Sequence, residues 1–342
     1  MKYLLIGLVV VGCGLAIVTE QSVHHWTPPT NEVVVNEPPP PPPSWTLTFT
    51  GDIMLDRNVR TAMISRGGLA PLLAPVKSEL TGDLVIGNLE GPFTNSTNHA
   101  LPGGSLSFTF EPKYAPQLKA AGFTVVSLAN NHTLNHGQSG LDLTRSTLDD
   151  AKIDYFGDPA NRSGFTLIKE VQGTRIGLVG YHGLVDGIDN IIADITAIRS
   201  KADLIIVMPH EGIEYNLKYS TKQQQDYHRL IDAGADMIIG AHPHVVEPIE
   251  IYKGKLIAYS LGNFLFDQYF STDTQQELLL HINGQGKNFT SVDFVPLESS
   301  RSIISPANNT VTTALLKRIA STSITSEEIK SQLRSGSITF TQ

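Results

Sequence analysis

Five times in this chain a short apolar run ends on a residue able to bind a metal or move a proton. Residues 47–50 lead into Gly51-Asp52, and 84–87 into Asn88-Leu89-Glu90. Residues 125–129 lead into Asn130-Asn131-His132, 204–209 into His210-Glu211, and 237–241 into His242-Pro243-His244. Apolar runs of this length, flanked by Gly and polar residues, read as buried strands. In α/β sheets ligands gather beyond the carboxyl ends of the strands. Asp, Glu, Asn and His recurring at that edge therefore predict one shared site.

The rest of the pattern supports layered α/β architecture. Strands are predicted at 46–50, 83–87, 124–129, 175–180, 203–208, 236–240 and 255–261. Between them, 114–121 reads as a helix stopped by Gly122, and 141–152 as a second helix. Ser220-Thr221-Lys222-Gln223 is a capping box opening a helix that closes at Gly234. Residues 93–110, rich in Asn, Ser, Thr and Gly, read as a loop, and 276–282 with 289–297 as an antiparallel hairpin. One domain is predicted over 45–298. A polar tail, 299–342, carries a short helix opened by Thr325-Ser326-Glu327-Glu328.

The beginning of the chain has a different character. Residues 3–18 carry no charge, with Lys2 before them and Glu20 after, the layout of a signal sequence or short membrane anchor spanning 1–20. Two further readings compete with an uncleaved anchor. Val10-Val11-Gly12-Cys13 resembles a lipobox that would be lipidated at Cys13, and cleaved secretion is the third. All three place the globular part outside the cytoplasm. Residues 21–44 form a linker with six prolines from Pro38 to Pro43, a composition that favours extended polyproline II. Cys13 is the sole cysteine, so no disulfide framework supports the fold. Net charge is -8, with 25 basic against 33 acidic residues, and no basic run stands out. Nucleic acid is excluded as a partner, because binding it requires clustered cations.

His242-Pro243-His244 places two imidazoles two residues apart. In an extended segment both rings would share one face. Imidazole suits Zn, Mn or Fe, and carboxylate and amide oxygens beside it shift the choice toward Mn or Zn.

Six blocks carry a family resemblance: Gly51-Asp52-Ile53-Met54-Leu55; Gly87-Asn88-Leu89-Glu90-Gly91-Pro92; Ala129-Asn130-Asn131-His132; His210-Glu211-Gly212-Ile213-Glu214-Tyr215; Gly240-Ala241-His242-Pro243-His244; and Ser260-Leu261-Gly262-Asn263-Phe264. In this order they resemble the signature blocks of the CapA family of capsule and poly-γ-glutamate synthesis proteins. That family is similar to calcineurin-like metallophosphoesterases. The resemblance implies a sandwich of two mixed β-sheets flanked by helices, holding divalent metal ions, one or two. By the same resemblance Asp52, Glu90, Asn131, His210, His242 and His244 are metal ligands, Glu90 in the bridging place, and His132 is the catalytic acid beside the leaving group. From their place beside these blocks, Asn88, Asn130 and Asn263 are expected to contact substrate. Met54 departs from the metallophosphoesterase pattern, which has histidine there, and a thioether is a poor ligand for hard cations. Asp56 or His136 is the candidate replacement. Asn135 and Glu211 stand where the family often has Asp and Trp.

Two functions follow. One is an exported metal-dependent phosphoester hydrolase of capsule or poly-γ-glutamate synthesis. The other is a non-catalytic surface subunit, binding a polyanionic polymer or a lipid-linked intermediate beside membrane synthase or export subunits.

Overall fold

The continuous apolar runs become strands buried on both faces. All seven residues of Leu204–His210 and all six of Leu84–Leu89 are buried, as parallel strands between covering layers must be. The computed structural model describes residues 41–340 apart from Pro102 and Ser105. The predicted anchor, Cys13 and linker residues 21–40 lie outside the described residues. Among the described residues no helix is long and apolar enough to cross a membrane.

Among the described residues fifteen strands follow one another: β1 Ser44–Ile53, β2 Leu84–Leu89, β3 Val125–Ser127, β4 Asp154–Phe156, β5 Leu167–Val171, β6 Thr174–His182, β7 Leu204–His210, β8 Met237–Ile239, β9 Ile249–Tyr252, β10 Lys255–Ala258, β11 Asn263–Leu265, β12 Gln276–Gln285, β13 Asn288–Ser300, β14 Ile303–Pro306 and β15 Ser337–Thr339. Eight α-helices accompany them among the same described residues: α1 Arg57–Arg66, α2 Ala70–Leu73, α3 Ala115–Ala121, α4 Gly137–Ala151, α5 Ile188–Ile198, α6 Thr221–Asp232, α7 Asn309–Thr322 and α8 Glu327–Arg334. One sheet runs β14-β13-β12-β1-β2-β3-β4, with β11 on β1 and β15 on β13; the other runs β5-β6-β7-β8-β10-β9. Both are mixed. β1 to β4 are parallel while β12 opposes β1, and β6, β7, β8 and β10 are parallel between antiparallel edges.

Three apolar layers hold this together. Leu47, Phe49 and Ile86 of the first sheet meet Leu178, Ile206 and Ile239 of the second in one central cluster. Outside the first sheet, Val59, Leu118 and Leu148 of the helices pack on Val85 and Val126. Outside the second, Ile195 of α5 and Tyr227 of α6 cover Val207 and Ile238. The fold is α/β, with two mixed sheets and helices.

Some elements differ from expectation. The α6 capping box forms with both reciprocal bonds, but α5 and α7 are additional helices. α7 is capped by Asn308, whose side chain accepts the Thr310 and Val311 N–H groups. The tail does more than trail: Leu315, Leu316, Ile319 and Ile338 enter the central cluster, and β14 and β15 pair with β13. A tail that looks polar by composition buries one face of each helix, which an average over the segment hides.

Candidate metal centre

Asp52, near the end of β1, sits where β1 bulges, paired with Asn88 on β2 and Asn263 on β11. Glu90 follows β2, His210 ends β7, and His242 and His244 follow β8. Ligand atoms of Asp52, Glu90 and His210 lie within 4.8 Å of one another, all three residues buried. The rim predicted from the apolar runs is therefore a single place in the fold.

Asparagine amides tie the charged groups together. Asn88 Nδ2 donates to Asp52 Oδ1 (2.8 Å) and faces His210 Nδ1 (3.1 Å). Asn130 Nδ2 donates to Asn88 Oδ1 (3.0 Å) and to the Leu89 carbonyl (2.9 Å). Its Oδ1 accepts the His132 and Thr133 N–H groups, as an Asx turn does. Asn131 Oδ1 lies 2.9 Å from His210 Nε2, and His242 Nδ1 lies 3.2 Å from that same nitrogen. Asn88, Asn130 and Asn263 are the residues expected to contact substrate. All three are buried, and their amides are engaged within the protein. They position the ligand set from behind.

His242 and His244 converge by a route the sequence reading did not foresee. The segment is not extended: φ is 100° at His242 and 59° at His244, unusual for residues with a Cβ. The two rings sit 6.0 Å apart, and the His242 N–H donates to Asp52 Oδ2 (3.2 Å).

The tautomers of two imidazoles follow from their partners. Asn135 Oδ1 accepts the Phe108 N–H, so it also accepts from His132 Nδ1 (3.1 Å). Asn263 Nδ2 donates to the Thr274 carbonyl, so its Oδ1 accepts from His244 Nδ1 (3.0 Å). Both Nε2 lone pairs are then turned inward, each 3.7 Å from Glu90 Oε1. Neither Glu90 oxygen has a hydrogen-bond partner among the described residues. Once Glu90 is ionised, three acceptors meet there with no donor between them. Two ligands of a tetrahedral ion with bonds of about 2.1 Å stand roughly 3.4 Å apart, close to the spacing seen. The donor set fits a divalent cation.

Electrostatics agree. Burial, then the Asp52 charge, pushes the Glu90 carboxyl well above its ordinary range. Burial lowers His210 well below the ordinary imidazole value and brings His132 and His242 to about 4. His132, His210 and His242 are therefore neutral at pH 7, the state in which an imidazole ligates.

Met54 does not face the site. It is fully buried in the helix-side layer, and its sulfur accepts the Asp56 N–H (3.0 Å). Neither proposed replacement takes its place. Asp56 Oδ2 accepts the Ala100 and Thr109 N–H groups, and His136 Nε2 contacts Thr109 Oγ1. Met54→Leu should leave metal content within error of wild type and cost about 1 kcal/mol of stability. A loss of metal would refute the placement.

His182, outside the predicted set, stands close to the centre. It pairs with His210 across β6 and β7, its ring lies 6.3 Å from that of His210, and its Nε2 has no hydrogen-bond partner among the described residues. Its position at a strand end was the available signal. A cavity of about 300 Å³ opens beside the centre, lined by Asn131, His132 and His244 and by Arg57, Phe108, Tyr215, Phe266 and Phe270. These last five were absent from the predicted set.

Residues 46–268 match the family model described as bacterial capsule synthesis protein PGA_cap. The chain belongs to that family. It is 31% identical over 312 residues to the capsule biosynthesis protein CapA of Bacillus anthracis, covering 84% of this chain and 74% of that one. It is also 31% identical over 268 residues to the PGA biosynthesis protein CapA of Bacillus subtilis, covering 70% and 69%. A probable polyglutamine synthesis accessory protein of Mycobacterium tuberculosis is 28% identical over 265 residues, covering 67% and 70%. All the predicted site residues lie inside the span matched by the family model, whereas Phe270 of the cavity and the whole tail lie beyond it.

Behind the centre sits a second buried acid. Glu247 Oε2 accepts from Gln223 Nε2 (2.8 Å), while Oε1 has no partner among the described residues, and burial pushes its carboxyl up to about 8. The folded value exceeds the unfolded one near 4.5, so this group's contribution is complete below pH 4.5 and is lost as pH rises toward 8. Glu247→Gln should flatten that fall, by about 1.4 kcal/mol per pH unit across the window. Denaturant melts of both proteins at pH 5 and pH 8 read it; parallel changes would refute the assignment.

Proposed function

We propose that this chain is a membrane-anchored, extracytoplasmic accessory protein of capsule or poly-γ-glutamate synthesis, whose buried centre holds a divalent cation and hydrolyses a phosphoester. The relatives named as capsule, PGA and polyglutamine synthesis proteins support the biological setting. The chemistry rests on one observation: a buried, unpartnered Glu90 carboxylate faced by two imidazole lone pairs and grouped with Asp52 and His210.

Asp52, Glu90, His210 and His244 would hold the cation, with Asn131 and His242 beside them. When bound, it supplies Lewis acidity and a lowered pKa for coordinated water. Asn88 and Asn130 hold the carboxylate and imidazole in register, so little reorganisation is needed. His132 Nε2, which carries a lone pair in the free protein, would take the proton given up by the attacking water and pass it to the leaving oxygen, while Asn135 fixes its ring from the other side. Phe108 lies 4.3 Å from the His132 ring, centroid to centroid, and keeps water from that face.

The test is elemental analysis of the purified full chain, joined to a generic phosphodiester assay with added Mn²⁺. At least one metal per chain is expected, with turnover reduced about a hundredfold or more in His132→Gln at unchanged metal content. Turnover absent in a metal-loaded protein would overturn the hydrolase and favour the binding subunit. A protein that takes up no Mn²⁺ or Zn²⁺ would overturn the metal centre itself.

A further inference from the structure

The wall of the cavity has a composition that the proposed chemistry does not use. Arg57 is its one cation, against the carboxylates of Glu214 and Asp267. Its side chain is 10% exposed, pairs with Asp267 through Nη2, and lies over the Phe108 and Phe266 rings at 5.0 and 5.4 Å. Its Nε–H finds no acceptor among the described residues. A guanidinium carries five N–H donors in a planar fork matched to phosphate, and the protein leaves that fork unsaturated.

Aromatic rings continue outward from the site imidazoles. Phe108 packs on His132, and Phe266 lies 4.7 Å from His244. Tyr215 stacks at 6.1 Å on the other side of that histidine, and Phe270 meets Tyr215 edge-on at 5.1 Å. At the mouth, Phe270 is 67% exposed, Leu106 61% and Tyr215 44%. Large apolar faces left wet around one pocket mark a binding surface. The charge balance restricts the occupant further. One arginine facing two carboxylates accepts a single anionic group and repels a chain of them.

We propose that this cavity binds the phosphate ester of an apolar alcohol, its phosphate directed by Arg57 toward the buried centre and its hydrocarbon laid along Tyr215, Phe266 and Phe270. This rests on the reading of the centre as a phosphoester site, and it adds the class of alcohol. The anion sits where Arg57 shares the Phe108 ring with His132 and the Phe266 ring with His244. The alkyl part leaves through the mouth and covers the exposed rings as it goes.

The probes are hexylphosphonate and methylphosphonate, neither of which can be hydrolysed, titrated into the Mn²⁺-loaded full chain by calorimetry. Hexylphosphonate should bind about tenfold more tightly, since each buried methylene adds favourable transfer energy. Phe270→Ala, at an exposed position, should remove most of that preference without weakening methylphosphonate. Arg57→Gln should weaken both probes alike. Equal affinity for the two probes, or displacement of hexylphosphonate by a γ-linked glutamate oligomer, would overturn the proposal. Vesicles containing phosphatidic acid distinguish the source of the ester. Binding to them that falls in Phe270→Ala assigns a lipid headgroup, and binding that does not change assigns a soluble ester. Because no bond is broken, preference without turnover would retire the hydrolase and keep this pocket, whereas turnover without preference would do the reverse.

Discussion

Replacing Glu90 by glutamine should strip the centre of its cation and, in the same protein, raise the melting temperature of the metal-free form. Glu90 is 0% exposed, both its oxygens lack partners, and Asp52 stands beside it. An ionised carboxylate in that position is opposed by burial and by a like charge. Its folded pKa is therefore raised, and its contribution to stability is lost as pH climbs above the unfolded value. A glutamine has the same shape without the charge. Its amide can also donate toward the inward-facing Nε2 atoms of His132 and His244, which now face an acceptor. Relief of about 2–3 kcal/mol is the scale for one such unsatisfied buried group, about 4–10 °C for a domain of this size. The same change removes the anionic oxygen around which the other ligands are arranged, so cation affinity should fall by about a hundredfold or more. Calorimetry in the presence of chelator and elemental analysis after dialysis against Mn²⁺ read the two effects separately. A variant that melts lower than wild type without metal, or that retains the cation, would remove the basis for the centre.

Much of this centre was legible because strand ends are legible. Leu84 to Leu89 and Leu204 to His210 are apolar enough to be buried on both faces, and a chain that buries such strands in parallel must present their ends together. Asp52, Glu90, Asn131, His210, His242 and His244 could be placed at one rim for that reason alone. The path of the backbone beyond the strands was not legible. Nothing in the letters of His242-Pro243-His244 announces left-handed φ at both histidines, since that conformation is imposed by the packing of neighbouring strands. The amides were read as substrate contacts because an asparagine's partner is a matter of three dimensions. Asn130 holds Asn88 across two strands, a relation that neither local segment contains. Arg57 was overlooked for the opposite reason: a single arginine at a helix start carries no signal until Phe108 and Phe266, distant in sequence, close over it. α7 escaped because its apolar face is narrow, with Leu315, Leu316, Ile319 and Ala320 buried and most other positions polar.

The second large effect is expected at a residue with no functional group. A Cβ on Gly51 would stand 1.9 Å from the Gly262 carbonyl oxygen and 2.8 Å from its carbon. Both atoms are backbone, so no side chain can rotate out of the way. The next residue, Asp52, donates its N–H to that same oxygen at 3.2 Å, and Asn263, one residue beyond Gly262, accepts from His244 Nδ1. Gly51→Ala must therefore push β11 away from β1 and carry the Asn263–His244 contact with it. Gly240 repeats the arrangement on the other sheet. A Cβ there would lie 1.9 Å from the Tyr259 carbonyl oxygen, and His242 follows two residues later. Each sheet thus brings its ligand-bearing loop into place by a backbone approach that only glycine permits. Gly51→Ala should cost more than about 4 kcal/mol, in the range reserved for forced backbone displacement. It should lower the melting temperature by about 8 °C or more and abolish cation retention in whatever protein remains folded. A variant melting within about 2 °C of wild type and holding its metal would mean that β1 and β11 are not as close as their pairing requires. Asp52 would then owe its position to the carboxylate's own contacts with Asn88 and His242, instead of to the strand that carries it.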